Sequence, residues 1–290
     1  MFTGAMVALI TPFRDGDIDW QTLDELIDFQ LEHGIDAIVP VGTTGECPTL
    51  THEEHKKVIE RVVKTVGGKV PVIAGAGSNS TAEAIELTAF SKKVGADASL
   101  QVCPYYNKPT QEGFYQHFKV ISEEIDLPMV LYNIPGRCGA GLTPQTVARL
   151  AKIENIVAIK EATGSLDQAS EIVSLCDITI ISGDDSLTLP LASIGGKGVI
   201  SVVANIIPAD VKAMTDLILE GDLVSARQWH NKLFKLCKSM LTLATNPIPI
   251  KAAMAMLNMA SEELRLPMTP LEEDKKAVLR QVLKDYGLLE

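Results

Sequence analysis

The residues with the most pointed chemistry sit at the ends of apolar runs. Lys160 closes Ile156-Val157-Ala158-Ile159, and it is the lysine that falls inside a strand-like run. An ammonium held against an apolar floor is penalised by desolvation, which lowers its pKa. A neutral amine attacks carbonyl carbon, so a Schiff base is the natural use of such a side chain. The structural alternative is an ion pair with a neighbouring carboxylate, Glu161 or Asp184. Tyr132 ends the run Pro128-Met129-Val130-Leu131. Its phenol suits proton transfer beside an imine carbon, or it simply caps a core strand.

Other residues suit anions. Gly42-Thr43-Thr44-Gly45 is a turn of small residues with two hydroxyls and several backbone N–H donors. Such a turn can cradle a carboxylate, though a tight strand-to-helix turn needs the same residues. Arg137, beyond Pro135-Gly136, would take a second carboxylate bidentately, or stay a surface arginine. The segment Ser182-Gly183-Asp184-Asp185 carries two acids and disfavours a phosphorylated substrate. His52 and His55 flank Glu53 and Glu54, but acids in the first turn of a helix explain that cluster without a metal. Neither a metal nor a cofactor is expected.

These side chains need elements to bring them together. Eight short apolar runs recur over the first 205 residues: 6–10, 37–39, 70–74, 98–102, 128–132, 156–159, 178–181 and 199–203. Most are continuous rather than alternating, as parallel strands covered on both faces require. Segments of helical spacing lie between them, including Leu23, Leu26, Ile27 and Leu31, then Val58, Ile59, Val62 and Val66. Strand and helix alternating eight times predict a (β/α)8 TIM barrel. An open doubly wound sheet is the alternative, but no G-x-G-x-x-G follows the first run. Residues 206–290 show only helical patterns and are read as a helical extension packed on the barrel, residues 1–205. In a barrel the site lies at the C-terminal ends of the strands, which is where the residues above fall.

Composition narrows the function further. The chain has 290 residues and a formal net charge of −11, with no basic run, which disfavours nucleic acid or an anionic membrane surface as partner. No apolar stretch is long enough to span a bilayer, and no secretory signal precedes the first strand. The five cysteines, Cys47, Cys103, Cys138, Cys176 and Cys237, are widely spaced, which suits reduced thiols in a cytoplasmic protein.

Taken jointly, five segments resemble the dihydrodipicolinate synthase family, within the N-acetylneuraminate lyase superfamily of pyruvate aldolases. They are Val41-Gly42-Thr43-Thr44-Gly45-Glu46, Pro104-Tyr105-Tyr106-Asn107-Lys108-Pro109, Tyr132-Asn133-Ile134-Pro135-Gly136-Arg137, Ile159-Lys160-Glu161-Ala162-Thr163 and Asn246-Pro247-Ile248-Pro249. The resemblance spans nearly the whole chain and implies roles. Lys160 would form an imine with pyruvate, and Tyr132 would shuttle protons through Thr43. Tyr106 would complete that relay from the neighbouring subunit of a tight dimer, within a homotetramer built as a dimer of dimers. Thr44 and adjacent N–H groups would hold the pyruvate carboxylate, with Gly183 and Ile200 also at the substrate. Arg137 would hold the carboxylate of L-aspartate β-semialdehyde. The Thr43-Thr44 pair, Tyr105-Tyr106 and Arg137 favour the synthase over sugar-acid aldolases of the superfamily. A catalytically silent barrel serving as a regulator would not need Lys160, Tyr132, Thr43 and Arg137 together. The resemblance also implies an L-lysine effector site at His52, His55, Asn79, Glu83 and Tyr105. This chain departs from the lysine-sensitive pattern at Cys47 and Pro48, where that pattern carries small Ser and Ala.

Overall fold

The computed structural model describes residues 2–290. The chain opens with β1 (Gly4–Ala8) and a small hairpin, β2 (Phe13–Arg14) with β3 (Asp17–Ile18). The other barrel strands are β4 (Ala37–Val39), β5 (Ile73–Gly75), β6 (Ala98–Val102), β7 (Met129–Asn133), β8 (Ile156–Glu161), β9 (Thr179–Ser182) and β10 (Gly198–Ser201). Their order is β4-β1-β10-β9-β8-β7-β6-β5, with every pair parallel. A parallel bridge from Ile38 to Val72 brings the two edges together. The expected (β/α)8 TIM barrel is therefore present. The first strand starts two residues earlier than its apolar run, and the hairpin was not legible because each arm is two residues long.

The barrel is filled, not hollow. Met6, Val39, Ile73, Val130, Ile181 and Ile200 point inward and form one buried cluster. Residues at alternate positions face outward onto helices and are mostly apolar as well, although β6 turns the buried Ser99 and Gln101 that way. The helices α1 (Trp20–Glu32), α2 (His52–Val66), α3 (Thr81–Val94) and α4 (Gln111–Glu124) cover the first half. α5 (Pro135–Cys138), α6 (Pro144–Leu150), α7 (Leu166–Leu175) and α8 (Thr188–Ala192) cover the second. Local sequence explains their ends. Thr51 and Glu54 form a reciprocal capping box on α2, and Gly67 closes that helix at φ 59°. Thr143 caps α6 ahead of Pro144, where a missing N–H costs nothing. The short α5 is too brief to leave a sequence pattern, because four residues carry no periodicity.

Beyond β10 come α9 (Pro208–Glu220), α10 (Leu223–Thr242), α11 (Ile248–Met256) and α12 (Glu273–Tyr286). Val211, Met214 and Ile218 of α9 join the cluster that holds Ala5 and Val7 of β1. By packing, α9 is thus the eighth outer helix of the barrel, although it lies after residue 205. α10, α11 and α12 add Leu233, Met240, Ile250 and Leu283 to the same cluster, so tail and barrel share one core. α11 begins at Ile248 and carries Pro249 in its first turn, a position that tolerates proline. Among the described residues, no helix is long and apolar enough to cross a membrane.

Candidate active site

Lys160 lies on β8 with its side chain inside the barrel, 6 % exposed. Tyr132 sits beside it in register on β7, and the Lys160 ammonium lies 4.1 Å from the centre of the Tyr132 ring. Burial lowers the Lys160 pKa to about 7; the Asp185 carboxylate works against that shift and Arg137 adds to it. The suggested structural partners are engaged elsewhere. Glu161 is the next residue on the strand and points the opposite way, where it accepts from the Thr163 amide at 2.8 Å. Asp184 accepts from the Ser186 amide and hydroxyl, both at 2.8 Å, and so caps a single helical turn. The amine is therefore desolvated without a contact ion pair to either.

From sequence, Asp185 is expected only as a phosphate-repelling charge. The structure instead turns it inward, 5 % exposed, where it accepts from the Val202 amide at 2.8 Å and the Val203 amide at 3.3 Å. Burial raises its pKa to about 6, against the pull of the Ser201 hydroxyl and those two amides. Sequence offered no signal for that orientation, because the two amides belong to the turn after another strand.

Burial also pushes the Tyr132 phenol up to about 12, with the Thr43 hydroxyl partly opposing. Tyr132 and Thr43 line one small cavity together with Gly42, Cys47 and Gly77. Thr44 is buried, and its hydroxyl accepts from the Asn246 amide at 3.0 Å. The Asn246 carbonyl in turn accepts from the Arg137 guanidinium at 2.9 Å. Arg137, Thr43, Asn246, Pro247, Pro267 and Met268 surround a mouth cavity of about 210 Å³. Asn246 was missed as a site residue because it lies 202 positions from Thr44.

Gly183 follows β9. A Cβ there would stand 2.6 Å from the Ala162 Cβ and 3.2 Å from the Lys160 Cε, so the missing side chain leaves room for the lysine. Ile200 is on β10 inside the barrel and supplies apolar wall. Tyr106 is not brought to Lys160 within the chain. It stands 90 % exposed with φ 71°, held away from its own barrel.

A second cavity, about 150 Å³, lies behind the turn. His52, His55, Glu83 and Tyr105 line it, with Cys47 and Pro48. Asn79 sits at its edge and donates to the Tyr105 carbonyl at 3.2 Å. The Glu83 carboxylate accepts from the Ser78 hydroxyl at 2.7 Å. His55 Nε2 lies 2.7 Å from the Gly75 carbonyl, which can only accept, so that nitrogen carries the proton. Burial lowers the His55 pKa, with the hydrogen bond to the Gly75 carbonyl partly opposing. Cys47 lines this cavity and the Tyr132 cavity; Pro48 lines this one and the mouth.

Fold and pocket define a class: a (β/α)8-barrel enzyme with its site at the C-terminal mouth. Within it, the chain belongs to the dihydrodipicolinate synthetase family, whose model matches residues 1–286. It is 55 % identical over 291 residues to 4-hydroxy-tetrahydrodipicolinate synthase of Geotalea uraniireducens, with all of both chains covered. The dihydrodipicolinate synthase structure from Aquifex aeolicus is 50 % identical, with a TM-score of 0.97 and 99 % of each chain covered. A Cyanidioschyzon merolae family structure with lysine bound is 42 % identical, with a TM-score of 0.95 and 99 % of each chain covered.

Proposed function

We propose that this enzyme condenses pyruvate with L-aspartate β-semialdehyde to 4-hydroxy-tetrahydrodipicolinate, the committed step toward lysine and diaminopimelate. The observation that carries the reading is the Lys160 amine, buried, brought to about pH 7 and set against Tyr132. The neutral amine attacks the pyruvate ketone carbon, and loss of water leaves an imine. A protonated phenol at Tyr132, with Thr43 beside it, donates to the departing hydroxyl and later takes a proton from the methyl carbon. The resulting enamine attacks the aldehyde carbon. The amine of the second substrate then adds to the imine carbon, closes the ring and frees Lys160.

Thr44 and its turn hold the pyruvate carboxylate, and Arg137 holds the carboxylate of the aldehyde at the mouth. Residues 1–205 carry this chemistry, while residues 206–290 reach the mouth through Asn246. Tyr106, exposed in one chain, completes the relay in the partner subunit of a dimer, and two dimers form the tetramer. The enzyme works in the cytoplasm, where its free thiols stay reduced. The cavity of His52, His55, Asn79, Glu83 and Tyr105 takes L-lysine as effector; the carboxylate of Glu83 suits its ammonium.

Borohydride reduction with pyruvate tests the core of this reading. Mass spectrometry should find one reduced pyruvyl group on Lys160, and Lys160→Ala should abolish it. Labelling that survives the substitution would sink the assignment.

A further inference from the structure

The turn that carries Thr43 and Thr44 ends in Glu46, and Glu46 has an unusual place for an acid. It is 2 % exposed on its side chain and forms an ion pair with Lys251, whose side chain is 0 % exposed. Its backbone sits at φ 54°, a left-handed conformation that a non-glycine residue holds only where its surroundings impose it. The same residue closes the turn: its amide donates to the Thr43 carbonyl at 3.1 Å, and its carbonyl accepts from the Thr49 amide at 3.0 Å. Any shift of the Glu46 side chain therefore moves the turn that presents both threonines.

Lys251 is tied to the opposite lip. It lies on α11, and its own amide donates to the Pro247 carbonyl at 3.1 Å, next to Asn246. Asn246 holds both Thr44 and Arg137. The Lys251 ammonium also donates to the Glu263 carbonyl at 2.9 Å and stands 4.2 Å from the Phe13 ring centre. The second Glu46 oxygen accepts from the Arg265 amide at 3.2 Å, two residues before Pro267 at the mouth. One buried pair thus joins the three segments that surround the mouth cavity: the threonine turn, the Asn246-Pro247 corner and the 265–268 loop.

We infer that Glu46 and Lys251 are positioning residues for the second substrate, the carboxylated aldehyde, and set Arg137 and the threonine turn in mutual register. The inference rests on the reading of Arg137 and the threonines given above. Glu46 forms part of the mouth-cavity wall, with its carboxylate engaged by Lys251 behind it. Lys160 and Tyr132 stand on β8 and β7, outside this network, so the pair reaches the pyruvate half of the reaction only through the threonine turn.

Stability and positioning can be separated because a buried pair behaves asymmetrically. Removing one partner strands a charge and is strongly destabilising, whereas replacing both by neutral groups of similar volume is tolerated. Lys251→Met should therefore lower Tm sharply, and the double variant Glu46→Gln with Lys251→Met should recover most of that loss. The recovered double variant should still trap pyruvate on Lys160 when pyruvate is saturating, with the KM for pyruvate raised because the threonine turn that holds its carboxylate has shifted. Its kcat/KM for the aldehyde should remain down about 100-fold, the scale of an ångström-sized misplacement. Return of aldehyde kcat/KM together with Tm would overturn the inference and leave the pair a purely structural one. If the double variant does not fold, Glu46→Gln, which keeps an acceptor for the Arg265 amide, is assayed below its own Tm; a native KM for the aldehyde there overturns it equally. Arg137→Ala in the native background checks the underlying reading separately, since a native aldehyde KM in that variant speaks against the role of Arg137 itself.

Discussion

At Lys160 the environment sets the chemistry. A free lysine amine is almost wholly protonated at neutral pH, whereas this one is half neutral near pH 7 because burial disfavours the charge. Imine formation with pyruvate should therefore rise as pH climbs through about 7 and then level off. Tyr132 titrates only at about 12, so its phenol stays protonated and imposes no falling limb at moderate pH. Stopped-flow or quenched trapping across that range checks the profile, and a plateau reached only near the ordinary lysine range would contradict it. The same shift costs stability. Between about 7 and the ordinary 10.5 the unfolded chain binds a proton at this site that the folded chain does not, so stability rises with pH across that window. Lys160→Met should raise Tm at pH 7, and the gain should shrink toward pH 10.

At the level of elements, a strand's alternation does much of the sorting. Lys160 and Glu161 are adjacent in sequence, yet β8 sends one into the barrel and the other outward to Thr163. The neighbouring strand end must then leave space, and Gly183 after β9 does so. Gly183→Ala would place a methyl group 2.6 Å from the Ala162 Cβ and 3.2 Å from the Lys160 Cε. Overpacking of this kind costs about 1–3 kcal/mol, so Tm should fall by several degrees. Because the lysine stem is one of the displaced groups, pyruvate trapping should slow as well. Trapping at the native rate in a destabilised Gly183→Ala protein would show that the backbone, not Lys160, absorbs the strain.

For the whole molecule, the proposed roles of the exposed Tyr106 and of the cavity behind the threonine turn are open to direct test. If Tyr106 serves a neighbour, mixing Tyr106→Phe chains with Lys160→Ala chains should restore part of the activity in hybrid dimers, because some sites then receive both intact groups. No recovery in hybrids verified by mass would assign Tyr106 to its own chain or to no role. L-lysine at millimolar concentration should inhibit the condensation, and Glu83→Ala should remove that inhibition while leaving the uninhibited rate near native. Cys47, Gly77 and Val102 line both the cavity behind the threonine turn and the Tyr132 cavity, so a ligand in one would press on a wall of the other. Steady-state assays decide the matter; no inhibition at any lysine concentration would show that His52, His55, Asn79, Glu83 and Tyr105 are not sufficient.

Much of this protein follows from its sequence alone. Continuous apolar runs alternating with helical spacing specify a parallel sheet covered by helices on both faces, and eight such units without a dinucleotide-binding glycine motif favour the barrel over an open sheet. A lysine ending one run specifies a desolvated amine, because a strand end in a barrel opens on the mouth. Proline at Pro144 and glycine at Gly67 mark helix ends through backbone conformation, which is a local property. The tertiary structure decided what depends on distant partners. Asp185 turns inward only because the amides of Val202 and Val203 wait after the next strand. Asn246 joins Thr44 to Arg137 across 202 and 109 positions of chain. Glu46 and Lys251 are ordinary surface types by composition, and only packing shows them as a buried pair. Local pattern encodes where strands and helices lie, but contact between charges is set by the closure of the barrel, which no short stretch of sequence contains.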